Sequence, residues 1–276
     1  MALRRDADRD VNRPTDKLIA LAVVAVLVVA ALVPMLRVPL LVVLVLGVLL
    51  APRESAWRWA FAAAIPIALI LVWGDLVGSR LLADSFDCAD PLSPVAWLRV
   101  AEAVLVIGAI LLLARRLGTP LRQLGLRRPT RTEAILGVAA IALIPVPSLH
   151  IGAILAEPFF GPIRLDLAQP LAILPALTLA VANGTMEELA YRGALMSWLS
   201  RAAGPTVALV GQAVVFGAAH TGTDYVASAL PVVLAIMAAG LIAGLIVRRT
   251  GSLWLVIIVH IAFDVPLYYA ATCRLG

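Results

Sequence analysis

Long apolar runs constrain this chain more than any other feature of its sequence. Runs of about 18 or more apolar residues recur, and as a helix each is long enough to cross about 30 Å of hydrocarbon. Hydrophobic residues make up 62% of the chain and charged residues 14%, with a mean hydropathy of +1.01. Soluble domains are closer to half apolar and a quarter charged. The sequence therefore predicts an all-α fold, a polytopic bundle of transmembrane helices.

We expect eight or nine membrane helices. The predicted spans are 17–36, 38–52, 57–78, 94–114, 133–155, 170–190, 203–220, 228–247 and 252–271. The second is short and follows the first after Arg37 alone, which predicts a tight hairpin or an incomplete crossing. The expected organisation is a polar cytoplasmic tail at 1–16, N-terminal transmembrane helices at 17–114, a basic linker at 115–132 and a core at 133–276.

Arginines collect at one set of helix ends. The linker "ARRLGTPLRQLGLRRPTRTE" is the richest in them, and the positive-inside rule places it in the cytoplasm with the N-terminus. The net charge of +5 is thus a topology signal. A nucleic-acid partner is not expected, because the basic residues lack interleaved aromatics. We expect a multi-pass protein in contact with membrane lipid, and the Ala-, Val- and Arg-rich composition suggests a bacterial plasma membrane.

The two cysteines, Cys88 and Cys273, fall on the outer side under this topology. Disulfides persist there, but the sequence does not define how far apart the two thiols lie. Two free thiols are therefore favoured somewhat over a disulfide. The oligomeric state is also undefined by the sequence.

Ionisable side chains inside the predicted spans raise the functional question, since each costs about 2.5–3.5 kcal/mol at the bilayer centre. Three helices carry short polar faces at a spacing of four residues: Glu187 with Tyr191 and Glu188 with Arg192, Phe216 with His220, and His260 with Asp264. A structural ion pair accounts for Glu188 and Arg192. Glu187 then needs its own partner, and histidines on other helices are natural candidates. Acids and imidazoles that converge in a bundle interior are typical of acid–base chemistry.

Structural roles are favoured for the other intramembrane polar residues, since membrane helices bond to one another through such groups. We expect local pairing or an interfacial position for Asp75 and Glu102, and helix-packing hydrogen bonds for Asn183 and Gln212. His150, in a span broken by Pro145 and Pro147, is expected to be structural, and "GLIAG" at 240–244 predicts close helix packing.

The three polar faces resemble the motifs of the CAAX prenyl protease and bacteriocin-processing (CPBP, or Abi) family of intramembrane proteases. "EELAYRG" resembles EExxxR, "FGAAH" resembles FxxxH, and "HIAFD" resembles the HxxxD variant of HxxxN, in the family's order. The resemblance covers roughly residues 120 to 270. It implies an intramembrane endopeptidase whose substrates are prenylated CAAX tails, bacteriocin-related peptides or membrane proteins.

Carried over by position, the resemblance implies that Glu187 is the general base that activates water and that His220 holds this water. His260 and Asp264 would stabilise the oxyanion, and the pair of Glu188 and Arg192 would fix Glu187. An ionised aspartate cannot donate to an oxyanion, so Asp264 must stay protonated, orient His260 or bind a metal. Two histidines plus carboxylates suit zinc, so a divalent metal stays an open alternative.

Two other functions fit part of the pattern. A non-catalytic scaffold or bacteriocin-immunity protein of the same fold would keep every motif without needing water at Glu187. A small-solute transporter also carries polar groups near the midplane, but this chain lacks the internal repeats expected of one.

The depths of the motifs add a structural requirement. Glu187 approaches the cytoplasmic end of its span, whereas His220 lies toward the outer end of the next. Their convergence predicts a break at Asn183-Gly184 or a short interfacial helix within "GALMSWLSRAAG".

Overall fold

The computed structural model describes residues 14–53, 55–78, 88–160, 169–221 and 226–273. Within these ranges the chain is helical and has no strand, which confirms the all-α prediction. Most of the tail predicted at 1–16 lies outside them. The helices are α1 (Pro14–Leu32), α2 (Arg37–Leu50), α3 (Ala56–Trp73), α4 (Pro94–Arg116), α5 (Arg131–Leu143), α6 (Pro145–Phe160), α7 (Ile173–Glu188), α8 (Met196–Ala203), α9 (Pro205–Ala218), α10 (Val226–Thr250) and α11 (Trp254–Thr272).

Among the described residues, four helices are long and apolar enough to cross a membrane: Pro14–Leu32, Ala56–Leu76, Pro94–Arg116 and Leu230–Thr250. A fifth span results if α5 and Pro145–Ile151, which meet at a 54° bend, are counted together. This bend is the break expected between 133 and 155, and Pro145 accounts for it because proline cannot continue the hydrogen-bond ladder. Apolar but shorter helices cover Pro34–Leu50, Pro205–Ala218 and Trp254–Tyr269.

Local chemistry fixes several helix ends. Thr130 and Glu133 form a reciprocal capping box at the start of α5, and the Ser55 hydroxyl accepts from the Arg58 amide at the start of α3. Arg37 donates to the carbonyls of Ala30 and Ala31 at the end of α1. α2, with 14 residues, spans only about 21 Å, which fits the expected incomplete crossing.

An alanine-rich face of α3 forms the centre of the bundle. Ala60, Ala62, Ala63, Ala64 and Ala68 are buried, and such small side chains let neighbouring helices approach closely. α3 packs against α1, α2, α8 and the π-helical segment Leu189–Leu195 that joins α7 to α8. α11 packs on α7, and α9 packs on α10. These contacts bring the three motif-bearing segments together.

Cys88 and Cys273 form a disulfide, so the preference for free thiols was wrong. The bond joins the segment before α4 to the end of α11, two sites 185 residues apart in sequence. Tyr268 supports the junction by donating from its hydroxyl to the Cys88 carbonyl oxygen at 3.1 Å. The spacing of residues along a helix gives no information about a contact between two cysteines so far apart in sequence.

Three of the polar residues expected to be structural form ion pairs or hydrogen bonds: Asp75, Glu102 and Gln212. Arg37 pairs with Asp75, and Arg99 pairs with Glu102 at 2.7 Å. The Gln212 amide donates across to the Gly240 carbonyl of α10 at 2.9 Å. A Cβ added at Gly244 would lie 2.7 Å from Leu209 Cδ1, which confirms close packing of the "GLIAG" face. His150 is exposed on α6, in the broken span.

Candidate active site

The EExxxR segment runs from the end of α7 into a π-helical turn. Glu187 and Glu188 close α7, and all seven residues of Leu189–Leu195 are buried. π-helical segments inside helices are rare and often mark functional sites. The helix is continuous through Asn183 and Gly184, so the predicted break there was wrong. The irregularity lies one turn later, and α8 is the short helix expected within "GALMSWLSRAAG".

Glu188 joins two of the three motifs. Its Oε1 accepts from Arg192 Nη1 at 3.0 Å and lies 2.8 Å from His260 Nδ1. The first contact confirms the predicted ion pair, whereas the second is a link between α7 and α11 that the spacing did not predict. Arg192 also lies over the Phe216 ring, with Cζ 4.1 Å from its centroid, a cation–π contact that ties the FxxxH helix to the same cluster.

Glu187 faces the other nitrogen of the same imidazole. Its Oε2 lies 3.7 Å from His260 Nε2, beyond hydrogen-bond distance. The residue is only 8% exposed, and Oε2 is a buried atom with no hydrogen-bond partner among the described residues. A buried carboxylate oxygen without a partner is costly and unusual. Glu187 therefore has an acceptor oxygen that no group in the described ranges uses.

Asp264 holds the third position around His260. Its Oδ1 lies 3.5 Å from His260 Nε2, and its Oδ2 accepts from Asn183 Nδ2 at 2.8 Å. Asn183 thus forms the helix-packing hydrogen bond expected of it, and the partner is a site residue.

His220 does not bond directly to Glu187 or His260 in the described part of the chain. Its Nδ1 lies 2.7 Å from the Phe216 carbonyl oxygen, and its ring meets the Phe216 ring edge to face at 4.8 Å, so the two residues share a helix face as predicted. Phe216 also lies 6.4 Å from the His260 ring. Phe216 is thus the shared neighbour of both histidines, a position that the motif pattern did not predict.

Two glycines allow this convergence, and neither was predicted as a site residue. A Cβ at Gly184 would lie 3.3 Å from the Ile261 amide nitrogen and 3.4 Å from His260 Cβ, so the absence of a side chain lets α11 approach α7 beside the imidazole. A Cβ at Gly240 would lie 3.2 Å from Arg192 Nη2. A glycine one turn before the acidic pair is the signal that could have identified Gly184.

The cluster is incompletely satisfied by protein groups. Asn183 Oδ1, Glu187 Oε2, Glu188 Oε2 and Arg192 Nε are all buried without a hydrogen-bond partner in the described ranges. Structural polar networks are stabilising only when every member is paired. Unused donors and acceptors at one place indicate a site built to interact with something other than its own chain.

A metal is the other chemistry suggested by these residue types. Within the described residues, no three His, Cys, Asp or Glu side chains are arranged to hold a metal ion. His260 directs Nδ1 to Glu188, so only Nε2 would be available to a metal, and Glu187 and Asp264 lie 3.7 and 3.5 Å from it. As positioned, the described residues do not fit a zinc site.

The comparisons with known proteins agree with the motif geometry. Residues 169–266 match the family model described as Type II CAAX prenyl endopeptidase Rce1-like, which confirms the resemblance stated from the motifs. The matched region contains α7, the π-helical segment, α8, α9, α10 and the part of α11 that bears His260 and Asp264. No curated protein and no solved structure matches the chain significantly.

Proposed function

We propose that the chain, whose residues 169–266 match the family model described as Type II CAAX prenyl endopeptidase Rce1-like, is an intramembrane endopeptidase that uses Glu187 as its general base. The observation that carries this proposal is the unpartnered Glu187 Oε2 beside the His260 imidazole. A general base needs a free acceptor oxygen within reach of the nucleophile. Glu133, by contrast, has both carboxylate oxygens bonded to Thr130 or Arg127.

In the proposed reaction, Glu187 takes a proton from water while the water oxygen attacks the scissile carbonyl carbon. The carbonyl electron pair moves onto oxygen, and the resulting oxyanion is stabilised by an N–H donor of His260. Collapse of this intermediate breaks the C–N bond, and the proton held by Glu187 passes to the leaving amine. The peptide bond is thus hydrolysed with no net change at the protein.

His260 suits the role of oxyanion donor because carboxylate oxygens lie near both of its ring nitrogens. Nδ1 lies 2.8 Å from Glu188, while Nε2 faces Glu187 and Asp264. A doubly protonated imidazole donates from both nitrogens. Nδ1–H can therefore donate to Glu188 and hold the ring, while Nε2–H donates to the oxyanion of the substrate. In this proposal Asp264 and Asn183 orient the ring, and Arg192 anchors Glu188.

The test is cleavage by the protein in detergent or liposomes, with wild type and Glu187→Gln compared on the same peptides. We expect the variant to lose about a thousandfold in rate, because a general base contributes roughly that much, with little change in thermal stability. The peptide set pairs each cysteine-containing sequence with its prenylated form. Equal cleavage by both proteins, or cleavage by neither, would favour the scaffold or immunity function.

Metal dependence is tested on the same assay. The arrangement of protein groups predicts that wild-type cleavage persists within about twofold in 1,10-phenanthroline, because the proposed base and oxyanion donor are side chains. Loss of cleavage in the chelator, with recovery on adding zinc, would contradict this expectation and assign the activation of water to a metal. An inert isomer of phenanthroline that does not chelate controls for effects on the membrane.

A further inference from the structure

A polar cavity shares Arg192 with the candidate active site. Its volume is about 180 Å³, and it lies between the linker, the start of α8 and the end of α10. Arg122, Arg248, Arg192, Ser197 and Ser200 line it, and we call it the basic pocket. It is at the basic end of the bundle, predicted above to face the cytoplasm.

The charge of the basic pocket is one-sided. Its lining contains three arginines and no aspartate or glutamate. Arg122 and Arg248 are exposed at the rim, and neither has an ion pair with another described residue. Elsewhere in the described chain, Arg37, Arg99 and Arg127 each pair with a carboxylate. Arg122 and Arg248 therefore place positive charge at the pocket that no described carboxylate neutralises.

Arg192 makes the pocket more than a patch of surface arginines. It is 2% exposed, lines the cavity, and its Nε is buried without a hydrogen-bond partner in the described ranges. Within those ranges, Arg192 donates a hydrogen bond from Nη1 to Glu188 Oε1. A guanidinium has five N–H donors in a planar fork, so donor capacity remains on a side chain that cannot reach bulk water.

We propose that the basic pocket binds a phosphate group. Guanidinium groups match phosphate geometry with paired hydrogen bonds, and Ser200, half-buried in the lining, offers a further hydroxyl donor. The phosphate can come from the head group of an anionic lipid, since basic pockets between membrane helices at the cytoplasmic side bind such head groups. It can also come from free phosphate.

The pocket is separate from the proposed chemistry yet shares one residue with it. Arg192 contacts Glu188 through Nη1, and Glu188 in turn contacts His260. A phosphate that contacts Arg192 is therefore linked to the imidazole through Arg192 and Glu188. Its binding does not depend on the proposed peptidase function, so the two proposals fail independently.

The experiment measures binding of two probes to the purified protein in a zwitterionic detergent. The probes are a short-chain phosphatidic acid and inorganic phosphate, followed by native mass spectrometry and by calorimetric titration. The pocket variant is Arg122→Gln with Arg248→Gln. The matched control is Arg128→Gln with Arg249→Gln, which removes the same charge from exposed positions of the same two segments that do not line the pocket.

We expect the pocket variant to lose at least about tenfold in affinity, because each lost charge-assisted hydrogen bond is worth roughly that factor. The control should lose less than about twofold. Tight binding of phosphatidic acid alone identifies a lipid head group as the ligand, and equal binding of both probes identifies free phosphate. Equal weakening in the two variants, or no binding of either probe to wild type, would overturn the proposal.

Discussion

Two buried glutamates in this protein have opposite surroundings. Glu133, at the start of α5, is 5% exposed and accepts from the Thr130 amide, the Thr130 hydroxyl and both terminal nitrogens of Arg127. Glu187, at the end of α7, is nearly as buried and has an oxygen without any partner in the described chain. Burial of an acid alone therefore does not mark a functional site. What distinguishes Glu187 is unused hydrogen-bonding capacity in a buried place.

The same contrast applies to the ion pairs. Arg37 pairs with Asp75, and the same guanidinium also satisfies two carbonyls at the end of α1, so it joins the ends of α1 and α3. Glu188 instead divides one oxygen between Arg192 and His260, while its other oxygen has no partner among described groups. The Arg37–Asp75 pair stabilises the junction between the ends of α1 and α3. The Glu188 pair holds an imidazole in position.

Glu188→Gln should produce the largest loss of stability among the variants that test this comparison. It removes the charge that neutralises buried Arg192 and weakens the anchor of His260 Nδ1. We expect loss of about 3 kcal/mol of stability, typical of breaking a buried ion pair, and at least about a hundredfold loss of cleavage rate. Thermal unfolding and kcat measured on the folded fraction check both.

Asp75→Asn is the matched variant at the Arg37–Asp75 pair. Arg37 keeps its bonds to the Ala30 and Ala31 carbonyls after this change, and the Asp75 side chain is 33% exposed. The cleavage rate per folded molecule should therefore stay at the wild-type value. A loss of rate equal to that of Glu188→Gln would mean that the two pairs do not differ in function.

Gly184→Ala should have an intermediate effect. The new Cβ would meet the Ile261 backbone at 3.3 Å, so α11 must shift by a few tenths of an ångström beside His260. Small displacements of catalytic groups are costly, and we expect about a tenfold lower kcat with a minor change in stability. Gly108→Ala is the control, because nothing lies within 4 Å of its added Cβ. Unchanged kcat in Gly184→Ala would show that the imidazole position tolerates this shift.

The helical period explains which parts of the site the sequence could predict. Residues four apart share a face, so the pairs Glu188–Arg192 and His260–Asp264 follow from spacing and are present at 3.0 and 3.5 Å. Contacts between helices depend on depth and rotation, which spacing does not contain. The Glu188–His260 contact and the Cys88–Cys273 disulfide are of this second kind.

The fold was predictable to the same extent: elements follow from the sequence pattern, and contacts between them do not. Apolar runs predicted the helices, and Pro145 marked the bend between α5 and α6. The π-helical segment after Glu188, which packs against α3 and the linker, was not predicted. Gly193 in that segment shows the constraint, since a Cβ there would lie 3.2 Å from the Leu124 carbonyl oxygen. Local propensity gives no signal for such a tertiary contact.

Glu133→Gln should have the smallest effect on catalysis. It tests the contrast between Glu133 and Glu187 directly. Glutamine keeps one acceptor oxygen, so part of the capping box and of the Arg127 contact is lost, and we expect about 1 kcal/mol lower stability. Arg127 still donates to the Thr250 carbonyl, which keeps the linker attached to the end of α10. The rate per folded molecule should be unchanged, whereas Glu187→Gln reverses both outcomes. A drop in rate for Glu133→Gln comparable to that of Glu187→Gln, measured at equal folded fraction, would mean that unused acceptor capacity does not separate functional from structural acids in this protein.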